Sequence, residues 1–416
     1  MRAGGEVPDL KALTTGERIE VLRRERGMSR AVLAGLVGRS PDWLKKVERG
    51  QRQITKLPML LAVADALGIA DLSVLTGDDK PVDSSAWDGE IHHTVPAIRD
   101  AIRQVGFAAL IPSGHPLLTP EDLQQRVSRL WRVWHSTPRQ RTVVGTELPT
   151  LIHQAHGAIQ AHQGFKRRQA QAAAGDLYRL VQRLLAHISE PELHAVAVER
   201  GRAMSESADT RLSVTLAAWS SSVSLSASGY FDEAAHLADV GVRTLAPVLA
   251  KPTPEVLGVL GALQLEAAAA HGFAGRAGDA FRYLDQAALT ARMMPPGASH
   301  LQSGFDGTNV EIIGVIVSGG LRRTGEAIVH ARRLDPTTIP SVVRRSRFLL
   351  EIAQTHALRN DPKVAIEYLR AAADVSDEAV ALIPWVRQLA DQLVADAPAH
   401  VRRSATQLAD QLKAVR

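Results

Sequence analysis

The segment Arg30–Gly50 constrains this 416-residue chain more than any other stretch of it. It reads Arg30-Ala31-Val32-Leu33-Ala34-Gly35-Leu36-Val37-Gly38-Arg39-Ser40-Pro41-Asp42-Trp43-Leu44-Lys45-Lys46-Val47-Glu48-Arg49-Gly50. Ala34 is small enough to let two helices cross, and Gly38 supplies a positive φ in the turn between them without Cβ strain. Leu33, Val37, Leu44 and Val47 are the apolar residues that lock the second helix onto the first. Ser40 is placed to cap that second helix, with Pro41 in its first turn. A preceding helix carries Ile19 and Leu22 and stops at Arg26-Gly27. Pro58 opens a following one with Leu60, Leu61, Val63, Ala64 and Leu67, closed by Gly68. The pattern predicts a compact helical unit over residues 1–76.

Charge singles out the same region. The net +5 divides into +4 over residues 1–76, −4 over 77–93 and +5 spread over 94–416. Residues 15–56 alone hold 11 basic side chains against 5 acidic ones, which points to a polyanionic partner for the N-terminal part only. Gly77-Asp78-Asp79-Lys80-Pro81-Val82-Asp83-Ser84-Ser85 is rich in turn formers and lacks helical periodicity, so 77–93 reads as a linker. Its acidity would keep it away from phosphates.

Several chemistries are excluded or unsupported. The chain has no cysteine, which removes disulfides, thiolate metal sites and cysteine nucleophiles. Met1-Arg2-Ala3-Gly4-Gly5-Glu6 has no apolar core of a signal peptide. The richest apolar windows are cut by Asp65, Glu266 and Glu311, so no membrane span is expected. The expected location is cytoplasmic. His153, His156 and His162 have a spacing open to a metal, but no carboxylate lies close in sequence; structural or solvated histidines are expected, as at His92-His93. No Walker loop, dinucleotide fingerprint, GxSxG elbow or HExxH occurs. Neither an enzyme nor a bound cofactor is expected.

Beyond the linker the chain reads as helix throughout, with no alternating strand pattern. Thr94 before Pro96, and Thr119 before Pro120-Glu121-Asp122, are placed as helix caps. The second of these helices carries Leu123, Val127, Leu130, Trp131 and Trp134 on one face. From about residue 169 a unit recurs: an apolar helix, a short Gly- or Asp-marked turn, and a second helix with a small residue at a fixed place. Ala234, Ala280, Ala327 and Ala365 mark that place at intervals of 46, 47 and 38 residues. This resembles a stretched tetratricopeptide (TPR) array, whose usual period is about 34. The tail Val401, Ala405, Leu408, Leu412, Val415 forms an apolar stripe too short to dimerise alone, and docking on the last repeat is expected. The expected class is all-α: a compact helical head 1–76, linker 77–93, helical connector 94–168, TPR-like repeat domain 169–400 and C-terminal helix 401–416.

Residue by residue, Arg30–Gly50 resembles the helix-turn-helix (HTH) of lambda-repressor/Cro (XRE-type) regulators, and the whole chain resembles the HTH–TPR transcriptional regulators of high-GC actinobacteria. The resemblance implies a recognition helix in the major groove, with Ser40, Asp42, Trp43, Lys45, Lys46 and Arg49 as candidates for bases and phosphates and Arg39 at their edge. Lys46 is matched to guanine O6/N7. Asp42 is open between cytosine N4 and plain stabilisation of the helix start. Arg30 resembles the family's polar phosphate clamp, and Gln51, Arg52, Gln53 and Lys56 would straddle the backbone. Trp43 either donates its indole N–H to a phosphate, the preferred reading, or packs as core. Arg23 and Glu48 match positions that form an ion pair in the family.

Phe305-Asp306-Gly307-Thr308-Asn309-Val310 is similar to a Phe-Gly-Pro-Thr-Asn-Val block of that group. Asn309 either pins a peptide backbone or caps its helix. Arg344, Arg345 and Arg347 would take a carboxylate or form a solvated face, the latter being the usual fate of a charge run. Phe305, Asn309, Arg344 and Arg345 are thus the candidate effector residues. The implied partners are double-stranded DNA with two half-sites, a second copy of the chain, and a peptide or small-molecule effector. The competing reading is an interaction scaffold whose HTH is a tether.

Overall fold

In a computed structural model, residues 13–52, 54, 57–69, 72–77, 92–105, 114, 116–186, 188, 190–396 and 398–414 are described. Every regular element among them is helical. The chain divides into two compact units, Met1–Gly89 and Glu90–Arg416.

The first unit contains α1 (Thr15–Glu25), α2 (Arg30–Leu36), α3 (Pro41–Glu48), α4 (Leu57–Ala66) and α5 (Ser73–Thr76). The anticipated caps are present. Ser40 Oγ accepts from Trp43 N–H at 3.1 Å, and the turn after α2 closes by Arg39 N–H donating to Ala34 C=O at 2.7 Å, with Gly38 at φ +65°. Ile19, Leu33, Ala34, Leu44, Val63 and Leu75 are fully enclosed. One requirement has no apolar signature in sequence. At Gly16 a Cβ would lie 2.1 Å from the Val47 carbonyl oxygen, so only glycine lets α1 cross the end of α3.

The second unit is a succession of packed helices. It begins with α6 (Val95–Gln104), α7 (Pro120–Ser136), α8 (Gln140–Ala161), α9 (Gly164–Leu185) and α10 (Pro191–Ser207). The pairs α11 (Arg211–Ala227) with α12 (Phe231–Leu245), α13 (Pro254–Phe273) with α14 (Ala277–Met293), α15 (Gly307–Gly320) with α16 (Thr324–Arg332), and α17 (Val342–Leu358) with α18 (Pro362–Val375) follow. Last come α19 (Asp377–Ala381), α20 (Pro384–Asp396) and α21 (Ala399–Ala414).

The repeat lies in the turns. Each of these four pairs is joined by three residues, the middle one left-handed: Gly229, Gly275, Arg322 and Asn360, at φ 81°, 79°, 57° and 56°. The third residue's N–H reaches back into the first helix, as from Tyr230 to Leu225 C=O at 2.9 Å and from Asp361 to His356 C=O at 3.0 Å. This is a Schellman closure, which satisfies carbonyls a helix end would otherwise orphan. Ala234, Ala280, Ala327 and Ala365 are fully buried where each second helix meets its neighbours. The uneven spacing arises between pairs, where segments such as 294–306 and 333–341 are inserted.

The structure redraws three expectations. Residues 94–168 are not a separate connector: Val95, Ile98, Trp131, Val144 and Leu148 share one core with Tyr178, Leu180 and Ala197. Thr94 does not cap α6 with its side chain; its Oγ1 instead bonds His92 Nδ1 at 2.8 Å. And α13 is long and apolar enough to cross a membrane by composition, despite Glu266, but 78% of its apolar window is buried within this unit.

Start and end of the second unit meet. α7 packs on α17 and α8 on α19. Glu378, 5% exposed, accepts from Arg141 N–H at 2.7 Å, Thr142 N–H at 3.1 Å and Thr142 Oγ1 at 2.5 Å, and lies 3.1 Å from His92 Nε2. Burial alone would push this carboxyl up, yet the donors around it outweigh burial and hold it below the usual carboxylate value. Val401, Ala405, Leu408 and Leu412 of α21 are buried in a core shared with α17, α18 and α20, so the tail docks. Val415 lies outside the described residues, as does most of the 77–93 linker.

Candidate nucleic-acid interface

α3 has two faces. Trp43, Leu44, Val47 and Glu48 point inward, whereas Asp42, Lys45, Lys46 and Arg49 occupy the exposed i, i+3, i+4, i+7 positions, preceded by exposed Ser40. Lys45 and Arg49 make no ion pair within 4 Å among the described residues. Lys46 Nζ lies 2.8 Å from Asp42 Oδ2, with both side chains more than half exposed. The hydrogen bond and charge of Lys46 hold the Asp42 carboxyl below its ordinary value. A pair so exposed is worth little in stability, so Lys46 is free to exchange its partner for a base edge or phosphate. Gln51 is exposed and Arg52 half-buried at the end of the helix. Gln53 and Lys56 lie outside the described residues.

The inner face fixes how α3 is held. Glu48, 1% exposed, accepts from Arg23 Nε at 2.6 Å and Arg23 Nη2 at 3.2 Å, and from Arg30 Nε at 2.5 Å. Arg30 Nη2 also donates to Glu20 at 3.0 Å. The Arg23–Glu48 pair matches the sequence expectation. The role of Arg30 changes: its guanidinium is engaged within the domain, so in this structure it braces α2 against α1 and α3 and is not a free phosphate clamp. Trp43 changes as well. It is 9% exposed, packs in the domain core and lies under the Arg39 guanidinium at 5.6 Å. The preferred reading as a phosphate donor gives way to the core one, because a ring beside Leu44 and Val47 removes more apolar surface from water than a phosphate contact would gain.

Residues 15–74 match the family model described as a helix-turn-helix domain. This segment is a helix-turn-helix domain. No curated protein matches the chain. Solved structures similar to it include Bacillus thuringiensis PlcR in complex with the peptide PapR7 and DNA, at 11% identity, 68% of this chain, 95% of that chain and TM-score 0.26. A mutant of PrgX is similar at 10% identity, 86% of this chain, 100% of that chain and TM-score 0.28.

The candidate effector residues fare unevenly. Phe305 is fully buried, and a Cβ on Gly261 of α13 would come within 1.9 Å of its ring; it is core, unavailable to a ligand. Arg345 donates twice to Ile339 C=O, at 3.0 and 2.7 Å, closing the approach to α17. Arg344 donates to Ser303 C=O. The helix cap is Asp306, which accepts from Asn309 N–H at 2.8 Å, so the capping reading of Asn309 fails. Asn309 is 4% exposed and its Oδ1 has no hydrogen-bond partner, an unusual state for a buried amide.

The histidines read as structural in part: His156 Nε2 bonds Tyr178 Oη and His162 Nδ1 bonds Ala158 O, both at 2.8 Å. No group of three metal-ligating side chains occurs among the described residues. Sequence reasoning missed His135, Arg179 and Arg183, which the fold gathers inside the second unit. The sequence carried no signal for them, because α7 and α9 hold many other charged and polar residues that face solvent.

Proposed function

We propose that this chain is a sequence-specific DNA-binding transcription regulator of the lambda-repressor/Cro (XRE) type, related to the actinobacterial HTH–TPR group. One observation carries the reading: a short helix pinned from inside by Glu48 and Trp43 that presents Asp42, Lys45, Lys46 and Arg49 outward from a helix-turn-helix domain. Lys46 serves as the base reader and Lys45 and Arg49 as the phosphate contacts. One recognition helix spans too few base pairs to discriminate a site, so the working form is a homodimer on two half-sites about 34 Å apart. The repeat unit is the responsive half, taking a peptide or small-molecule effector and altering the freedom of the paired heads across linker 77–93. The protein works in the cytoplasm, at the nucleoid, and catalyses no reaction.

Footprinting of the full chain on DNA upstream of its own gene tests this. Lys46→Ala should flatten base preference, and Arg49→Ala should lower the salt slope of binding by about one unit. A footprint unchanged in both variants, or no protection at all, would favour the scaffold reading.

A further inference from the structure

Helix α9 opens on five side-by-side positions that nothing in the fold covers. Gly164, Phe165, Lys166, Arg167 and Arg168 are all exposed, and Ala170 is the first residue that the helix buries. At 67% exposure, Phe165 is the most exposed large apolar side chain among the described residues, so its ring forgoes the gain of burial. The side chains of Lys166, Arg167 and Arg168 make no hydrogen bond or ion pair among the described residues. Elsewhere in this unit cations that stand in runs are answered: Arg323 by Glu326 at 3.2 Å, Arg333 by Glu311 at 3.6 Å and Arg347 by Glu351 at 2.6 Å.

The backbone works against these three charges. A helix start is electropositive and is ordinarily stabilised by a capping oxygen and by acids. α7 has Thr119 with Glu121 and Asp122, and α13 has Thr253 with Glu255. α9 has neither a side-chain cap nor an acid in its first turn, and three cations stand there instead. Unpaired cations set against the helix field, beside an uncovered ring, suit a polyanion with apolar edges. An anionic membrane and a DNA duplex both have that chemistry, and magnitudes favour the duplex. Stable membrane recognition takes about four to eight clustered cations. On DNA three suffice, because the helix-turn-helix holds the duplex first. The second contact is then intramolecular, at an effective concentration of roughly millimolar. Residues 94–416 sum to +5, so the field of this unit does not oppose a duplex.

We propose that the exposed start of α9 is a second DNA-contacting surface, in which Lys166, Arg167 and Arg168 pair with phosphates flanking the operator and Phe165 packs on the deoxyribose edges between them. The inference rests on the reading of the chain as a DNA-binding regulator and extends DNA contact from the first unit to the second. Such a surface adds affinity without base preference.

The full-length protein is titrated over a range of salt concentrations onto two duplexes, the footprinted operator alone and the same operator lengthened on both sides. The decisive variant replaces Lys166, Arg167 and Arg168 together by Gln. It should melt at the wild-type temperature or above it, because cations have left a helix start. On the longer duplex its salt slope should be smaller by about 2–3 units, and on the bare operator it should match wild type. Phe165→Ala should bind the longer duplex about tenfold more weakly with the slope unchanged. Lys46→Ala should lose base preference yet keep the dependence on duplex length, so failure of the recognition helix and failure of this surface are seen apart. Equal slopes for wild type and the triple variant on the longer duplex overturn the proposal. If that variant binds DNA as wild type does but no longer sediments with phosphatidylglycerol vesicles, the surface belongs to a membrane and the proposal is likewise overturned.

Discussion

Removing the Glu48 carboxylate is the sharpest test of how the DNA-reading helix is held. Glu48 is enclosed, as is Arg23 at 5% exposure, and they share two hydrogen bonds of 2.6 and 3.2 Å. In Glu48→Ala the Arg23 guanidinium keeps one partner, Met28 C=O at 2.7 Å through Nη1, with its charge uncompensated. Breaking a buried pair from one side costs about 3–5 kcal/mol, against a total of roughly 5–15 kcal/mol for a domain. Arg30, also bound to Glu48, is 34% exposed. Water replaces its carboxylate contacts, and Arg30→Ala should cost no more than about 1 kcal/mol. The double replacement Arg23→Leu with Glu48→Leu removes both charges and should recover most of the loss. Hydrogen exchange read by mass spectrometry on the intact protein measures this, with the amides of α1 to α3 reporting and those of the second unit as internal control. Glu48→Ala and Arg23→Ala should each speed exchange across the first unit far more than Arg30→Ala. Equal effects of Glu48→Ala and Arg30→Ala, or a Glu48→Ala cost below about 1 kcal/mol, would refute the claim that a buried ion pair fixes α3.

Other outcomes follow from particular contacts. Gly261→Ala drives a Cβ into the Phe305 ring and should destabilise the second unit by about 1–3 kcal/mol in chemical denaturation; a neutral result would mean α13 and Phe305 pack less closely than found. Arg322 sits at φ 57° in a turn where two sister pairs have glycine, so Arg322→Gly should be neutral or stabilise by up to about 1 kcal/mol, and Arg322→Val should cost about 1–2 kcal/mol in the same assay. Burial first, then neighbouring arginines, lowers His135 to about 3 and His156 to about 4 from an ordinary 6.5. Between pH 6.5 and about 4 the unfolded chain therefore binds protons that the folded unit does not, and stability is full above pH 6.5 and falls as pH drops through that window. His135→Gln with His156→Gln should flatten the dependence of melting temperature on pH there; an unchanged slope would show that other groups set it.

Much of the first unit was legible because its signals are local. A cap, a turn glycine and an apolar residue every three or four positions each act within one or two helical turns, so Ser40, Gly38, Leu44 and Val47 could be placed from spacing alone. The side that Trp43 chose was not legible, because an indole satisfies either a core or a phosphate, and only packing against residues from other helices decides between them. Arg30 was misread for a similar reason: its partner Glu48 is 18 residues away, and spacing along one helix says nothing of a carboxylate arriving from the next.

The candidate effector block shows the same limit over longer range. Phe305 lies against Gly261, 44 positions earlier, and Arg344 reaches back 41 residues to Ser303.

By itself the sequence determined the all-helical class, the helix-turn-helix, the exposed stripe of α3 and the recurring alanines, because periodicity and turn chemistry are properties of neighbouring residues. Only the tertiary structure decided that α7 and α8 meet α17 and α19, and that residues 94–168 join the second unit. Those outcomes depend on which helices end up side by side. Burial and the Coulomb interaction act through space, so a charge's partners, or its lack of them, are settled only when distant segments come together.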